Sequence, residues 1–166
     1  MIKYNDTKIY KWFTIVTFSV GVILGAISYY SILHVEPTIK KLLDEGSNIQ
    51  ITEKMTDAEK IEARAKMSVY MTEAYKRLRN PQLFARYENF DFFSDRIRSK
   101  FLPRFDQMVS EKAVITKEYR PYLEILLERR AQGSRLGRNT MVFFFLLSLA
   151  GALFLLWERR SVKKAS

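Results

Sequence analysis

Two long stretches without a charged residue constrain this chain more than any other feature of its sequence. They run from Trp12 to Leu33 and from Met141 to Trp157, over 22 and 17 residues. A helix of the first length spans about 33 Å, which matches a hydrocarbon core of about 30 Å, and the second is at the lower limit for a membrane span. Both are apolar on every side, unlike the one-sided helices of soluble proteins. The sequence therefore predicts transmembrane helices at residues 12–33 and 140–157.

A cleaved secretory signal is the alternative interpretation of the first stretch. Lys3, Lys8 and Lys11 precede it, and Ala26-Ile27-Ser28 is a small-residue pattern that a signal peptidase accepts. The stretch is longer than the roughly 7–15 residues that are typical of a signal core. A retained span is therefore favoured over a cleaved signal.

Charge at the two ends of the chain favours a cytoplasmic location for both termini. The tail at 1–11 carries three lysines against one aspartate, and the tail at 158–166 carries four basic residues against one glutamate. Basic residues close to a span favour the cytoplasmic side, whereas long loops largely escape this rule. A group of arginines at 129–138 weighs against this orientation. We expect a two-pass protein of the cell (inner) membrane, and the dilysine-like ending KKAS leaves the endoplasmic reticulum as the alternative.

Residues at the edges of the spans are expected to anchor the helices at phospholipid headgroups. Tryptophan rings prefer the headgroup level, and arginine side chains reach phosphates from an apolar helix. The predicted anchors are Trp12, Trp157, Arg129, Arg130, Arg135, Arg138, Arg159 and Arg160.

The segment between the spans, residues 34–139, is predicted to be a small extracytoplasmic helical domain. Apolar spacing predicts a helix at 34–45 that is kinked at Pro37 and ends before Gly46, followed by a linker at 46–55. Thr56-Asp57-Ala58-Glu59 is a capping box, so a second helix should begin there and run to about Arg79.

Three further helices are expected in this domain. Asn80-Pro81 begins one, Ser94 begins another that bends at Pro103, and the last begins near Pro121 and is interrupted at Gly133–Gly137. The predicted fold class is all-α, with a two-pass transmembrane helical hairpin and a small helical bundle between the spans.

Three neighbouring phenylalanines, Phe90, Phe92 and Phe93, lie too close together for one helical face to bury them all. Core packing explains most of the aromatic residues between Phe84 and Phe105, because a small domain needs large side chains. The three neighbours are also the predicted partner surface, since an exposed apolar patch marks an interaction site.

The composition excludes most catalytic and metal chemistry. The chain has no cysteine and one histidine, which rules out thiolate zinc sites, iron–sulfur clusters and sites with two imidazoles. No carboxylate lies inside a span, and no nucleotide-binding or catalytic motif occurs. The basic residues are interleaved with acidic ones, whereas nucleic acids require a concentrated basic stripe. We expect no enzyme activity, no cofactor, no metal and no nucleic-acid partner.

Small residues recur at helical spacing in both spans. Gly21 and Gly25 form a GxxxG pattern that Thr17 extends by one turn, and Ser148 and Ala152 form a similar pattern in the second span. Such residues let helix backbones approach closely in a membrane. We expect these five residues to pack the two spans together, with a partner subunit or a homodimer as the alternative.

These features favour a non-catalytic accessory subunit that docks on a larger membrane protein complex and helps to assemble or stabilise it. The order of span, helical domain and span also resembles, in architecture alone, the input half of bacterial chemoreceptors. That resemblance implies a sensor that signals through a separate partner, because only nine residues follow Trp157. A homo-oligomeric channel is the third hypothesis, with the Thr17, Gly21 and Gly25 side as its pore face.

Overall fold

A computed structural model describes residues 4–79 and 102–165 of the chain. Five α-helices occur there: α1 (Tyr4–Tyr30), α2 (Glu36–Ser47), α3 (Asp57–Arg79), α4 (Leu102–Ser110) and α5 (Arg120–Ala165). A π-helical turn, Ser31–Val35, joins α1 to α2, and a 3₁₀ turn, Lys117–Tyr119, precedes α5. Within these ranges no strand is formed, which confirms the all-α class.

The chain divides into two compact units. The first, Met1–Tyr30 with Ser134–Ser166, is called the apolar helix pair, and the second, Ser31–Gly133, is called the helical domain. Two helices of the described chain are long and apolar enough to cross a membrane, one near each end of the sequence.

A π-helical turn, Ser31–Val35, lies immediately before Pro37, the residue at which the sequence predicts a kink. Pro37 occupies the first turn of α2 and has no N–H to donate to a carbonyl of the preceding helical turn. Its ring would crowd the carbonyl four residues earlier, in Leu33, if the preceding turn were regular α-helix. The π-helical turn at 31–35 widens the backbone there.

Gly46 does not end α2 as predicted, because the helix continues through it to Ser47. The glycine is buried where α2 crosses α3: an added Cβ would lie 3.1 Å from both Met71 Cε and Tyr70 Cβ. Glycine is therefore needed here because the two helices approach closely, and not because a helix ends at this position.

The predicted capping box is confirmed at the start of α3. The backbone N–H of Thr56 donates to Glu59 Oε2 at 2.7 Å, and the backbone N–H of Glu59 donates to Thr56 Oγ1 at 3.3 Å. The pair satisfies two amides that the first helical turn leaves without a partner.

Acidification is expected to weaken this cap. Hydrogen bonds from the backbone and then the hydroxyl of Thr56 lower the pKa of Glu59 below its ordinary value of 4.5. The capping box therefore stabilises the folded chain fully at pH values above that ordinary pKa. This stabilisation is lost as the pH falls through the lower, folded-state pKa of Glu59. Hydrogen exchange of the Thr56 amide should accelerate over this acidic window, beyond the intrinsic pH dependence. Glu59→Gln keeps an acceptor oxygen and should remove the extra acceleration, so an unchanged profile in this variant would contradict the assignment.

The core of the helical domain lies between α2, α3, α4 and the start of α5. The predicted stripe on α3 is buried at Met67, Met71, Ala74 and Leu78, while Ala63 is half-buried. The Phe105 ring packs between those of Tyr75 and Tyr119, with centroid distances of 4.3 and 5.5 Å. The core residues are Ile39, Leu43, Met67, Met71, Ala74, Tyr75, Leu78, Phe105, Ile115, Leu123 and Leu126.

A Schellman motif ends α4. The N–H of Ala113 donates to the carbonyl of Met108 at 2.9 Å, and the N–H of Lys112 donates to that of Val109 at 3.3 Å. Lys112 adopts the left-handed conformation (φ 53°) that this motif requires. The chain then contacts α3, where the N–H of Ile115 donates to Ser68 Oγ at 2.9 Å.

The predicted interruption at Gly133–Gly137 is wrong. Helix α5 runs without a break over 46 residues, from Arg120 to Ala165. A glycine inside a helix costs only about 1 kcal/mol relative to alanine, and good helix formers surround both positions. Residues 120–133 belong to the helical domain and the remainder belongs to the apolar helix pair.

Candidate functional site

The two helices of the apolar helix pair contact each other along their length in opposite directions. At one end Thr7 Oγ1 donates to Glu158 Oε1 at 2.8 Å. In the middle Ser148 Oγ donates to the carbonyl of Thr14 at 3.1 Å. Further along, an added Cβ on Gly21 would lie 2.8 Å from Phe145 Cε1, and one on Gly25 would overlap Met141.

The five predicted packing residues all lie at or beside these contacts. Thr17, Gly21, Gly25 and Ser148 are buried, and Ala152 is half-buried. The hydroxyl of Thr17 donates to the carbonyl of Phe13 at 2.8 Å, so this polar group is satisfied within its own helix.

Gly151 is a close-contact residue that the sequence interpretation missed. It is buried, and an added Cβ would overlap Thr14 Oγ1. That hydroxyl cannot move freely, since it donates to the carbonyl of Tyr10 at 2.8 Å. The spacing of Gly151 three residues after Ser148 is a small-residue signal that would have pointed to it.

The outer surface of the helix pair is apolar. Large apolar side chains are exposed around both helices while small and hydroxyl-bearing residues are buried between them, which reverses the usual arrangement of a water-soluble helix pair. Only 11% of the most apolar part of α5 is buried against protein. The exposed apolar residues include Phe13, Val16, Phe18, Val22 and Ile23 of α1 and Phe143, Leu146, Leu149, Leu153 and Leu156 of α5.

Most of the predicted headgroup anchors lie at the surface. Trp12 and Trp157 are 66% and 61% exposed. The arginines at positions 135, 138, 159 and 160 are exposed as well. Arg129 is half-buried, and its Nη1 donates to Gln132 Oε1 at 3.0 Å.

Arg130 does not occupy an anchor position. Its side chain belongs to the interior of the helical domain, where the residue is only 4% exposed and Nη1 donates to the carbonyl of Arg77 at 3.2 Å. That carbonyl lies in the last turn of α3, where backbone acceptors lack helical partners. Arg130 therefore caps the end of α3, which corrects its assignment as a lipid anchor.

Helix α3 carries a second apolar stripe that sequence interpretation missed. Ile61 and Val69 are 67% and 66% exposed, and Ala58 and Ala65 are exposed beside them. These four residues, called the α3 outer stripe, recur at spacings of three and four residues and so lie on one face. The buried stripe occupies the opposite side. In the sequence, the apolar residues at 58, 61, 65 and 69 recur at helical spacing and do not fall on the face of the core stripe. This pattern could have revealed the second stripe.

Ion pairs in the helical domain join its helices. Asp106 of α4 accepts from the Tyr75 hydroxyl at 2.6 Å and from Arg79 Nη2 at 3.1 Å. Arg120 Nη2 donates to Asp44 at 2.7 Å and Nε donates to Glu124 at 2.7 Å. The hydrogen bond to Glu124, followed by that to Asp44, raises the pKa of Arg120 despite partial desolvation. These hydrogen bonds connect α4 to α3 and α2 to α5.

Among residues 4–79 and 102–165, no group of three or more His, Asp or Glu side chains is placed to hold a metal ion. The predicted partner surface of Phe90, Phe92 and Phe93 lies outside the described residues, as do the helices predicted from Asn80-Pro81 and the start of the one from Ser94.

Comparison of the chain with known protein families, with curated proteins and with solved structures finds no match. The fold itself defines the class: an all-helical protein with two helices long and apolar enough to cross a membrane.

Proposed function

We propose that this chain is a non-catalytic, two-pass membrane subunit whose helical domain docks on a larger membrane protein complex and helps to assemble or stabilise it. The observation that carries the proposal is the distribution of exposed apolar side chains. They cover the helix pair and recur in the helical domain as the α3 outer stripe.

The apolar surface of the helix pair favours contact with lipid rather than with water. Exposed Leu, Val and Phe side chains are favourable in a hydrocarbon core, and buried small residues such as Gly21 and Gly151 supply the close contacts that hold membrane helices together. Trp12 and Trp157 would then lie at a headgroup level. On this proposal α1 and the last part of α5 form a transmembrane hairpin, with both termini in the cytoplasm of a cell with an inner membrane.

The α3 outer stripe fits an apolar helix of the partner protein. Ala58 and Ala65 leave shallow gaps between Ile61 and Val69, into which side chains of a second helix insert at helical spacing. Isolated exposed apolar residues are ordinary on protein surfaces, but four on one helical face indicate an interaction surface.

Purification of the full-length chain in mild detergent, followed by native mass measurement, tests this proposal. We expect a stoichiometric complex with larger membrane proteins. Ile61→Glu together with Val69→Glu should dissociate it, because two carboxylates would be buried without partners. Ile125→Glu, on an exposed apolar residue of α5 rather than of α3, is the matched control and should leave the complex intact.

Two outcomes would overturn the subunit proposal. A monomer without partners would remove its basis, and an oligomer of this chain alone would favour the sensor or the channel.

One observation favours the sensor as the second candidate: α5 is a single helix of 46 residues with no break at Gly133 or Gly137. The channel has less support, since Thr17, Gly21 and Gly25 of its expected pore face are buried against α5.

A further inference from the structure

The hydrogen bond between Thr7 and Glu158 brings the two basic tails of the chain to the same end of the helix pair. Lys8 and Lys11 of α1 lie within about one turn of Thr7, and Arg159 and Arg160 of α5 directly follow Glu158. All four side chains are exposed. The two residues of α1 lie 148 or more positions before the two residues of α5 in the sequence. Together the four residues form one surface, called here the basic end.

The two tails carry the acidic residues Asp6 and Glu158 beside the basic end, and Glu158 is turned away from solvent. One carboxylate oxygen of Glu158 accepts from Thr7 at 2.8 Å, and the other is buried. The carboxylate is therefore held against the facing helix, while the guanidinium groups of Arg159 and Arg160 remain exposed. The surface is net positive, because the four exposed cations outnumber Asp6 and Glu158.

Aromatic residues border the basic end on its apolar side. Trp12 follows Lys11, and Trp157 precedes Glu158 on the facing helix. The ring of Phe154 contacts Tyr10 at 4.4 Å and Trp157 at 6.0 Å between centroids. Apolar surface, tryptophan and then positive charge follow one another along the pair, which is the order from hydrocarbon core to phosphate in a bilayer leaflet.

The opposite end of the helix pair is less basic. There Arg135 and Arg138 are the exposed cations of the pair, against four at the basic end. A cluster of four or more Lys and Arg residues directly beside a membrane helix attracts acidic lipids, and this attraction is short in range.

We propose that the basic end binds the headgroups of anionic phospholipids in preference to zwitterionic ones. This inference rests on the proposed membrane insertion of the helix pair, and it assigns Lys8 and Lys11 a role together with Arg159 and Arg160. Headgroup phosphates in a leaflet are the occupant, because the cations are spread over two helices at one depth rather than gathered in a pocket.

Fluorescence of the two tryptophans reports on this end alone, since Trp12 and Trp157 are the only tryptophans in the chain. The full-length protein is reconstituted in phosphatidylcholine bilayers that contain phosphatidylglycerol, with bromine quenchers carried on the acyl chains of one lipid or the other. The ratio of the two quenching efficiencies gives the lipid preference beside the basic end. We expect phosphatidylglycerol to quench more strongly, and added salt to reduce its advantage.

Arg159→Gln with Arg160→Gln should lower the preference for phosphatidylglycerol by about fivefold or more, since each basic residue near an anionic surface is worth about that factor. Arg135→Gln with Arg138→Gln removes the same charge from the opposite end and should leave the preference unchanged. Both substitutions replace exposed side chains, so the fold of either variant is expected to persist.

Equal quenching by both lipids in the unaltered protein would overturn the inference, as would an unchanged preference in the Arg159 and Arg160 variant. Loss of the preference on addition of excess inorganic phosphate at constant ionic strength would identify a free-phosphate site instead of a lipid site and would also overturn it. Absence of quenching by either lipid would overturn membrane insertion itself, and with it the proposed function.

Discussion

Replacing Gly151 with leucine is expected to separate α1 from α5 in the apolar helix pair. Even the first carbon of the new side chain would overlap Thr14 Oγ1, and that hydroxyl is held by its bond to the Tyr10 carbonyl. Overpacking a close contact costs about 1–3 kcal/mol, and here either the Thr14 hydroxyl must give up its bond to Tyr10 or the backbone of α1 must move. The bond from Ser148 to the Thr14 carbonyl would be lost at the same time.

Crosslinking measures this separation directly, because the chain has no cysteine of its own. Tyr10→Cys with Phe154→Cys places two thiols where aromatic rings now lie 4.4 Å apart, and a short thiol-specific crosslinker should join them in high yield. Gly151→Leu should abolish most of this yield. Ala150→Leu adds a larger side chain at the neighbouring, exposed position and serves as control. Equal yields in the two variants would show that Gly151 is not a point of close contact.

Phe105→Ala is expected to produce the largest loss of stability in the helical domain. The ring is fully buried and packs between Tyr75 of α3 and Tyr119 beside α5, so its removal leaves a cavity at the junction of three elements. Substitutions of buried phenylalanine by alanine cost about 3–5 kcal/mol, from lost burial together with the cavity.

Thermal unfolding of the full-length chain, followed through the near-ultraviolet signal of its tyrosines, measures this effect. Val114→Ala is the control, since Val114 is exposed and lies near α4 in the chain; its unfolding temperature should stay close to that of the unaltered protein. A Phe105→Ala variant as stable as the Val114→Ala variant would contradict the central position of Phe105 in the core.

Features that depend on neighbouring residues could be predicted from the sequence. The two uncharged stretches, the capping box at Thr56 and Glu59 and the buried stripe on α3 each follow from a periodic or local pattern. The all-α class follows from the same patterns. The small residues of the first span, Gly21 and Gly25, were recognised for the same reason, because their spacing already places them on one face.

Glycine was the residue for which local rules failed. The sequence pattern predicts helix breaks at Gly46 and at the pair 133 and 137, yet all three residues lie inside helices. The intrinsic cost of a glycine in a helix is about 1 kcal/mol, which helix packing easily exceeds. At Gly46 that packing is visible as the close approach of Met71 and Tyr70.

The sequence by itself determined the helices and the apolar surfaces that two of them present, because hydrophobic periodicity and capping act over a few residues. Tertiary structure decided which groups meet. Only contacts between distant segments bury Arg130 against the carbonyl of Arg77, seat Gly151 on Thr14 and turn Glu158 towards Thr7, so that the basic residues of both tails share one surface. A side chain's environment depends on residues far away in the chain, and no local pattern encodes those partners.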